Sequence, residues 1–216
     1  MSGFGVYPDP QTKEDKLRIT LALTSTLLVV VATVWRIVQI RRRETRPALA
    51  TWVMFEIAIA ISFASYLTTP QGDIISNITN TVDVFTVLAI LVAIALTADG
   101  EGRKVEPTDT LCLSALGAIG AFWLMRRDAF TTNLATQIIM TIAYLPTLTK
   151  MWRVGRNTES FEAWILILLS GIAGLAIAVM DRNVLSVIYT ARATILTAIL
   201  LGFMAFLEFR PRNKKQ

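Results

Sequence analysis

The fold this sequence predicts is an all-α, polytopic membrane protein. Seven transmembrane helices form two parallel three-helix repeats joined by a linker helix (3+1+3). Three observations carry that expectation. Apolar residues fall into blocks of about 20, the length that spans a bilayer, rather than into the stripes of soluble helices. The composition agrees: 54% is hydrophobic and 17% charged, against about 45–50% and about 25% in soluble chains. Finally, residues 41–52 (RRRETRPALATW) lie over residues 153–164 (RVGRNTESFEAW) at a constant offset of 112. An internal repeat decides an architecture before any single residue does.

The segments follow in order. Residues 1–16 are polar, hold two prolines and mixed charge, and read as a short tail. The basic residues start at Lys13 and the apolar run after them is too long for a signal peptide, so no cleaved leader is expected. Helices are expected over 17–40, 47–68, 77–98, 109–125, 131–152, 161–180 and 184–208. The first three make one repeat (17–98) and the last three the other (131–208). The polar, Gly- and Pro-containing break DGEGRKVEPT over 99–108 opens the linker (99–130), which holds the fourth helix. Residues 209–216 form a basic tail.

Lysine and arginine in the loops set the orientation. Five lie on the side of the N-terminal tail: Lys13, Lys16, Arg126, Arg127 and Arg182. Thirteen lie on the other, among them Arg41, Arg42, Arg43, Arg46, Arg103, Lys104, Arg153 and Arg156. The basic side is therefore expected to be cytoplasmic and the N-terminus outside, in what reads as a prokaryotic cytoplasmic membrane. Trp35, Trp52, Trp152 and Trp164 fall near that same face, as an interfacial aromatic belt does.

The stretch around the second copy, YLPTLTKMWRVGRNTESFEAW over 144–164, puts a proline near the inner end of a helix, then a basic turn, then a Trp-bearing helix. With the 3+1+3 layout, this resembles the PQ-loop superfamily, which includes the SWEET and SemiSWEET sugar transporters. The resemblance spans all seven helices in layout and is densest over 144–164. It implies alternating access between two three-helix bundles, with a solute held between them. The signature Pro-Gln pair is Pro146-Thr147 here, and Val34-Trp35 stands at the first-repeat position.

Charges inside spans are the sharpest functional pointers, since each costs ~2.5–3.5 kcal/mol on insertion scales unless paired or wet. Glu56, Asp83 and Arg192 are such charges. Asn77, Asn80 and Asp83 recur at i, i+3, i+6 and share one helix face. Ser186, Tyr189 and Arg192 do the same on the last helix. The third helix of each repeat thus offers a polar stripe, one ending in an acid and the other in a base. Two readings stand side by side: a substrate site, or an Asp83–Arg192 ion pair that locks the halves. Gln137 could bind a ligand or a neighbouring helix. Glu56 could couple a proton, or be a carboxylate paired with Arg18 or Arg36 or solvated by water. Pro146 is a hinge or a static kink. Under the resemblance, an asparagine on each third helix would face the solute. Asn77 or Asn80 could serve on the first, but no asparagine stands at that depth on the second.

The composition also excludes functions. The chain has no histidine and one cysteine, which removes Ser-His catalysis, His-ligated metals and a disulfide framework. The last helix lacks the lysine a retinal Schiff base needs. No enzyme, cofactor or nucleic-acid partner is expected, despite a net charge of +5. The expected partners are the lipid bilayer and a small polar solute, with a homo-oligomer allowed. The expectation is a facilitator or coupled carrier. The alternative is a non-transporting seven-helix receptor or assembly subunit whose charges are structural.

Overall fold

The computed structural model describes residues 10–45, 47, 49–98, 107–157 and 159–209. Among the described residues eight helices follow one another: α1 (Pro10–Arg41), α2 (Leu49–Leu67), α3 (Ile78–Thr97), α4 (Pro107–Arg126), α5 (Ala129–Ile142), α6 (Leu145–Val154), α7 (Phe161–Met180) and α8 (Val184–Phe209). Among the described residues there is no strand. Five helices (α1, α2, α3, α7 and α8) are long and apolar enough to cross a membrane, and α4 is a shorter apolar helix. The chain is a helical membrane protein.

Two expectations change. The first helix begins at Pro10 rather than residue 17, so most of the tail's charged residues extend α1. Proline suits a first helical position, where its missing N–H would be unsatisfied anyway. The expected single helix over 131–152 is instead α5 and α6. Pro146 stands in the first turn of α6. It has no N–H to give to the carbonyl four residues back, so the hydrogen-bond ladder breaks one turn earlier. Ala143 and Tyr144 keep right-handed helical dihedrals there, and the Tyr144 N–H closes a tighter bond to Thr141 (3.2 Å). The result is a kink that keeps the chain's direction. Arg46, Arg103, Lys104 and the basic residues from Arg210 onward, all counted towards topology, lie outside the described residues.

The packing follows a pattern. α3 lies between α1 and α2, which share little or no contact with each other; α8 likewise packs on both α5 and α7. Across these groups α1 packs on α7, and α2 on α5. α4 covers the side of α2 and α5. Close approach depends on small residues in α7. A Cβ on Gly174 would stand 2.1 Å from Thr79 Oγ1 of α3, and one on Gly171 2.7 Å from Thr194 Oγ1 of α8. Ser170 completes this face: its hydroxyl and carbonyl exchange hydrogen bonds with Ser25 of α1 at 2.9–3.0 Å. A second pair of small residues spaced four apart, Gly117 and Ala121, makes no such approach. Both are exposed on α4, and the space at Gly117 is open.

Candidate functional site

Arg18 gathers the end of the bundle where α1 begins. Its guanidinium pairs with Asp73 in the α2–α3 connection and with Asp181 at the end of α7 (2.9 Å), and reaches the Ser76 hydroxyl (3.0 Å). The Ser76 hydroxyl, with one proton to give, is within hydrogen-bond reach of both carboxylates. Beside this cluster the buried Tyr66 hydroxyl accepts the Asn183 amide (2.7 Å) and donates to the Gln71 carbonyl (2.7 Å). Three otherwise separate segments are thereby tied together. Burial pushes the Asp73 carboxyl up, but the Ser76 hydroxyl and N–H, the Ile75 N–H and Arg18 together hold it below the usual carboxylate range.

A cavity of about 470 Å³ lies between the helices, walled by α1, α2, α3, α5, α6, α7 and α8. Asp83, Tyr189 and Arg192 line it. The Tyr189 hydroxyl donates to Asp83 Oδ2 (2.8 Å), and the Arg192 guanidinium carbon stands 5.2 Å from the centre of the same tyrosine ring. Arg192 donates through Nε to Gln137 Oε1 (2.7 Å) and reaches the Met140 sulfur at 3.6 Å. Asp83 and Arg192 do not come within 4.0 Å of each other. The direct ion pair entertained from sequence is therefore absent: Tyr189 stands between the charges.

Nearer the arginine-rich end, the cavity wall turns aromatic. Trp52, Phe55, Tyr144 and Trp164 follow one another with ring centres 5.7–6.1 Å apart. Arg36 enters from α1, its guanidinium carbon 4.3 Å from the Trp164 ring centre and 5.2 Å from that of Trp52. Glu159 pairs with Arg36 at 2.8 Å and accepts from the Trp164 indole at 3.3 Å. Trp52 and Trp164 are the residues that the 112-residue repeat superposes. Two of the four tryptophans expected in a belt thus turn inward to clasp Arg36, while Trp35 and Trp152 remain exposed.

The remaining predicted residues divide. Gln137 is 4% exposed and serves Arg192 rather than the cavity. With Asn80 and Asn133 it also donates to the Ser62 hydroxyl, at 2.9–3.4 Å. Asn77, Asn80 and Ser186 are fully buried and do not line the cavity. Both Asn77 amide atoms, Asn80 Oδ1 and the Ser186 hydroxyl lack a hydrogen-bond partner. Counted along the chain, Asn77 and Ser186 lie between the cavity and the Arg18 cluster, while Asn80 is level with the cavity-lining Thr79 and turned into the packing. Glu56 meets neither of its expected partners, since Arg18 and Arg36 are engaged elsewhere; its Oε2 is buried without a partner and it does not line the cavity. Pro146 acts through the backbone, as the kink between α5 and α6.

Sequence reasoning missed the Arg36–Glu159 clasp and the Arg18 cluster. One signal was present: Asp73 and Asp181 follow the second helix of each repeat at nearly the repeat's spacing. Compared with protein-family models, curated proteins and solved structures, the chain gives no match.

Proposed function

We propose that the protein is a membrane carrier, a facilitator or coupled transporter of a small polar solute, working by alternating access between two three-helix bundles. One bundle is α1, α2 and α3. The other is α5 with α6, α7 and α8, and α4 links them as a distant variant of the PQ-loop plan. The observation that carries this reading is the central cavity. It lies between the bundles and presents an acid and a base that are not spent on each other. Burying such charges costs several kcal/mol each, so they are poor devices for stability alone.

Three features support the mechanism. The packing is two-fold: α1 on α7 answers α5 on α2, and the third helix of each bundle lies between the other two. The Arg18 cluster closes one end of the path, which the loop charges make extracytoplasmic. The Pro146 kink supplies a joint on the opposite side.

The test is solute flux in proteoliposomes over a panel of sugars, nucleosides, vitamins and amino acids. The carrier reading expects one class to be moved, with Asp83→Asn and Arg192→Gln each reducing flux while the protein stays folded. If no solute moves, and both variants lose the fold, the charges are structural and the receptor or assembly reading replaces it.

A further inference from the structure

On the carrier reading, we infer that the solute is a zwitterion of the amino-acid type with an uncharged aromatic or large apolar side chain. Four observations converge on that class. First, acid and base line one cavity with Tyr189 between them, its hydroxyl on Asp83 and its ring under Arg192. The two charges are therefore separated by about one tyrosine side chain, close enough for one small molecule to meet both.

Second, each charge is held yet unfinished. Asp83 uses Oδ2 for Tyr189 and keeps Oδ1. Arg192 uses Nε for Gln137, and its terminal nitrogens have only the weak acceptor sulfur of Met140. A carboxylate accepts two donors from a guanidinium, and an ammonium donates three hydrogen bonds. Asp83 thus suits the solute's ammonium and Arg192 its carboxylate.

Third, the cavity's volume of about 470 Å³ suits a solute of amino-acid size.

Fourth, the arginine-rich end of the cavity is a wall of Trp52, Phe55, Tyr144 and Trp164. A cationic side chain is excluded there, because Arg36 already occupies the tryptophan faces. An acidic one would meet Glu159, which is itself committed to Arg36. An uncharged ring or branched chain packs on this wall and on the Arg36 guanidinium while leaving the Arg36–Glu159 pair intact. A sugar can hydrogen-bond to both groups and pack on the wall, but it leaves both charges without an opposite charge.

The experiment uses the full-length protein in lipid nanodiscs, with direct binding of radiolabelled L-tryptophan and competition by tryptamine, indole-3-propionate and glucose. L-Tryptophan is expected to bind about tenfold or more tighter than tryptamine, which lacks the carboxylate, and than indole-3-propionate, which lacks the ammonium. The variants cross over. Arg192→Gln removes the advantage over tryptamine and keeps tryptamine binding. Asp83→Asn removes the advantage over indole-3-propionate and keeps that acid's binding. Retained binding of one analogue by each variant reports a folded site. Tryptamine or indole-3-propionate matching L-tryptophan on the wild-type protein overturns the inference, as does glucose binding while L-tryptophan does not. If proteoliposomes still move some other polar solute, only the substrate class has failed. If nothing is moved or bound, the carrier reading fails with it.

Discussion

Gly174→Ala puts the packing of α7 against α3 under a direct strain whose size the structure sets. An added Cβ would stand 2.1 Å from Thr79 Oγ1, with Thr79 Cβ at 3.5 Å and Thr190 Cγ2 at 3.6 Å. The clash is thus with one atom, on α3. Threonine is stiff at χ1 because it is β-branched, so relief requires a rotamer change or a shift of α3 away from α7. Overpacking of this kind costs about 1–3 kcal/mol, and for a chain of this size each kcal/mol lowers Tm by roughly 2–4 °C. Thermal unfolding in detergent, followed by circular dichroism, reads the shift. Gly174→Ala with Thr79→Ala is expected to recover most of the loss, because the offending oxygen is gone. Gly117→Ala is the control: with nothing within 4 Å of its Cβ, it leaves Tm unchanged or slightly raised through helix propensity. An unchanged Tm for Gly174→Ala, or no recovery in the double variant, refutes the close approach of α3 and α7.

Other predictions follow from the two polar clusters. Arg36→Met leaves Glu159 unpaired in a half-closed aromatic site and is expected to lower stability by about 1–3 kcal/mol, read as a shift in the denaturation midpoint; Arg36→Lys recovers only part, since a lysine cannot stack on two indoles as a guanidinium does. Ser25→Ala removes one side of the Ser25–Ser170 exchange and costs about 0.6 kcal/mol, the usual size for hydrogen bonds between membrane helices, measurable by the same assay. The Arg18 cluster is acid-sensitive with a definite sign. Asp73 is held below its ordinary value, so its contribution is present above the unfolded carboxylate pKa of about 3.9 and is lost as pH falls below it. Proteolysis or hydrogen exchange in the α2–α3 connection should rise below about pH 4, and Asp73→Asn should remove that dependence.

How much of this was legible in the sequence depended on whether a signal was local. The helices α2, α3, α7 and α8 were placed within two residues, since a block of apolar residues bounded by Gly, Pro or charge is a local pattern. The stripe that joins Asp83 to the base and tyrosine of α8 was also readable, because spacing fixes which residues share a helix face. Rotation about the helix axis was not. Rotation, together with the depth at which the cavity begins, decides that Asn77, Asn80 and Ser186 lie in packed interior while Asp83 lines the cavity. Rotation also turns Trp52 and Trp164 inward, where a count of tryptophans near one end reads only a belt. The break before Pro146 was visible as a kink but not as the loss of a full turn of bonding. Long-range partners such as Glu159 for Arg36 depend on the packing of the bundle, and no spacing rule reaches across 123 residues.

The most direct test of the central claim is whether the cavity can be reached from both faces of the membrane. Cys112 is the sole cysteine, so a Cys112→Ala background carrying Ala193→Cys places one thiol in the cavity wall. In sealed vesicles of each orientation, a membrane-impermeant methanethiosulfonate is expected to label that thiol from either side, and a bound solute to slow both reactions. Labelling from one face only, unaffected by solute, would contradict a carrier and leave a bundle with a fixed internal pocket.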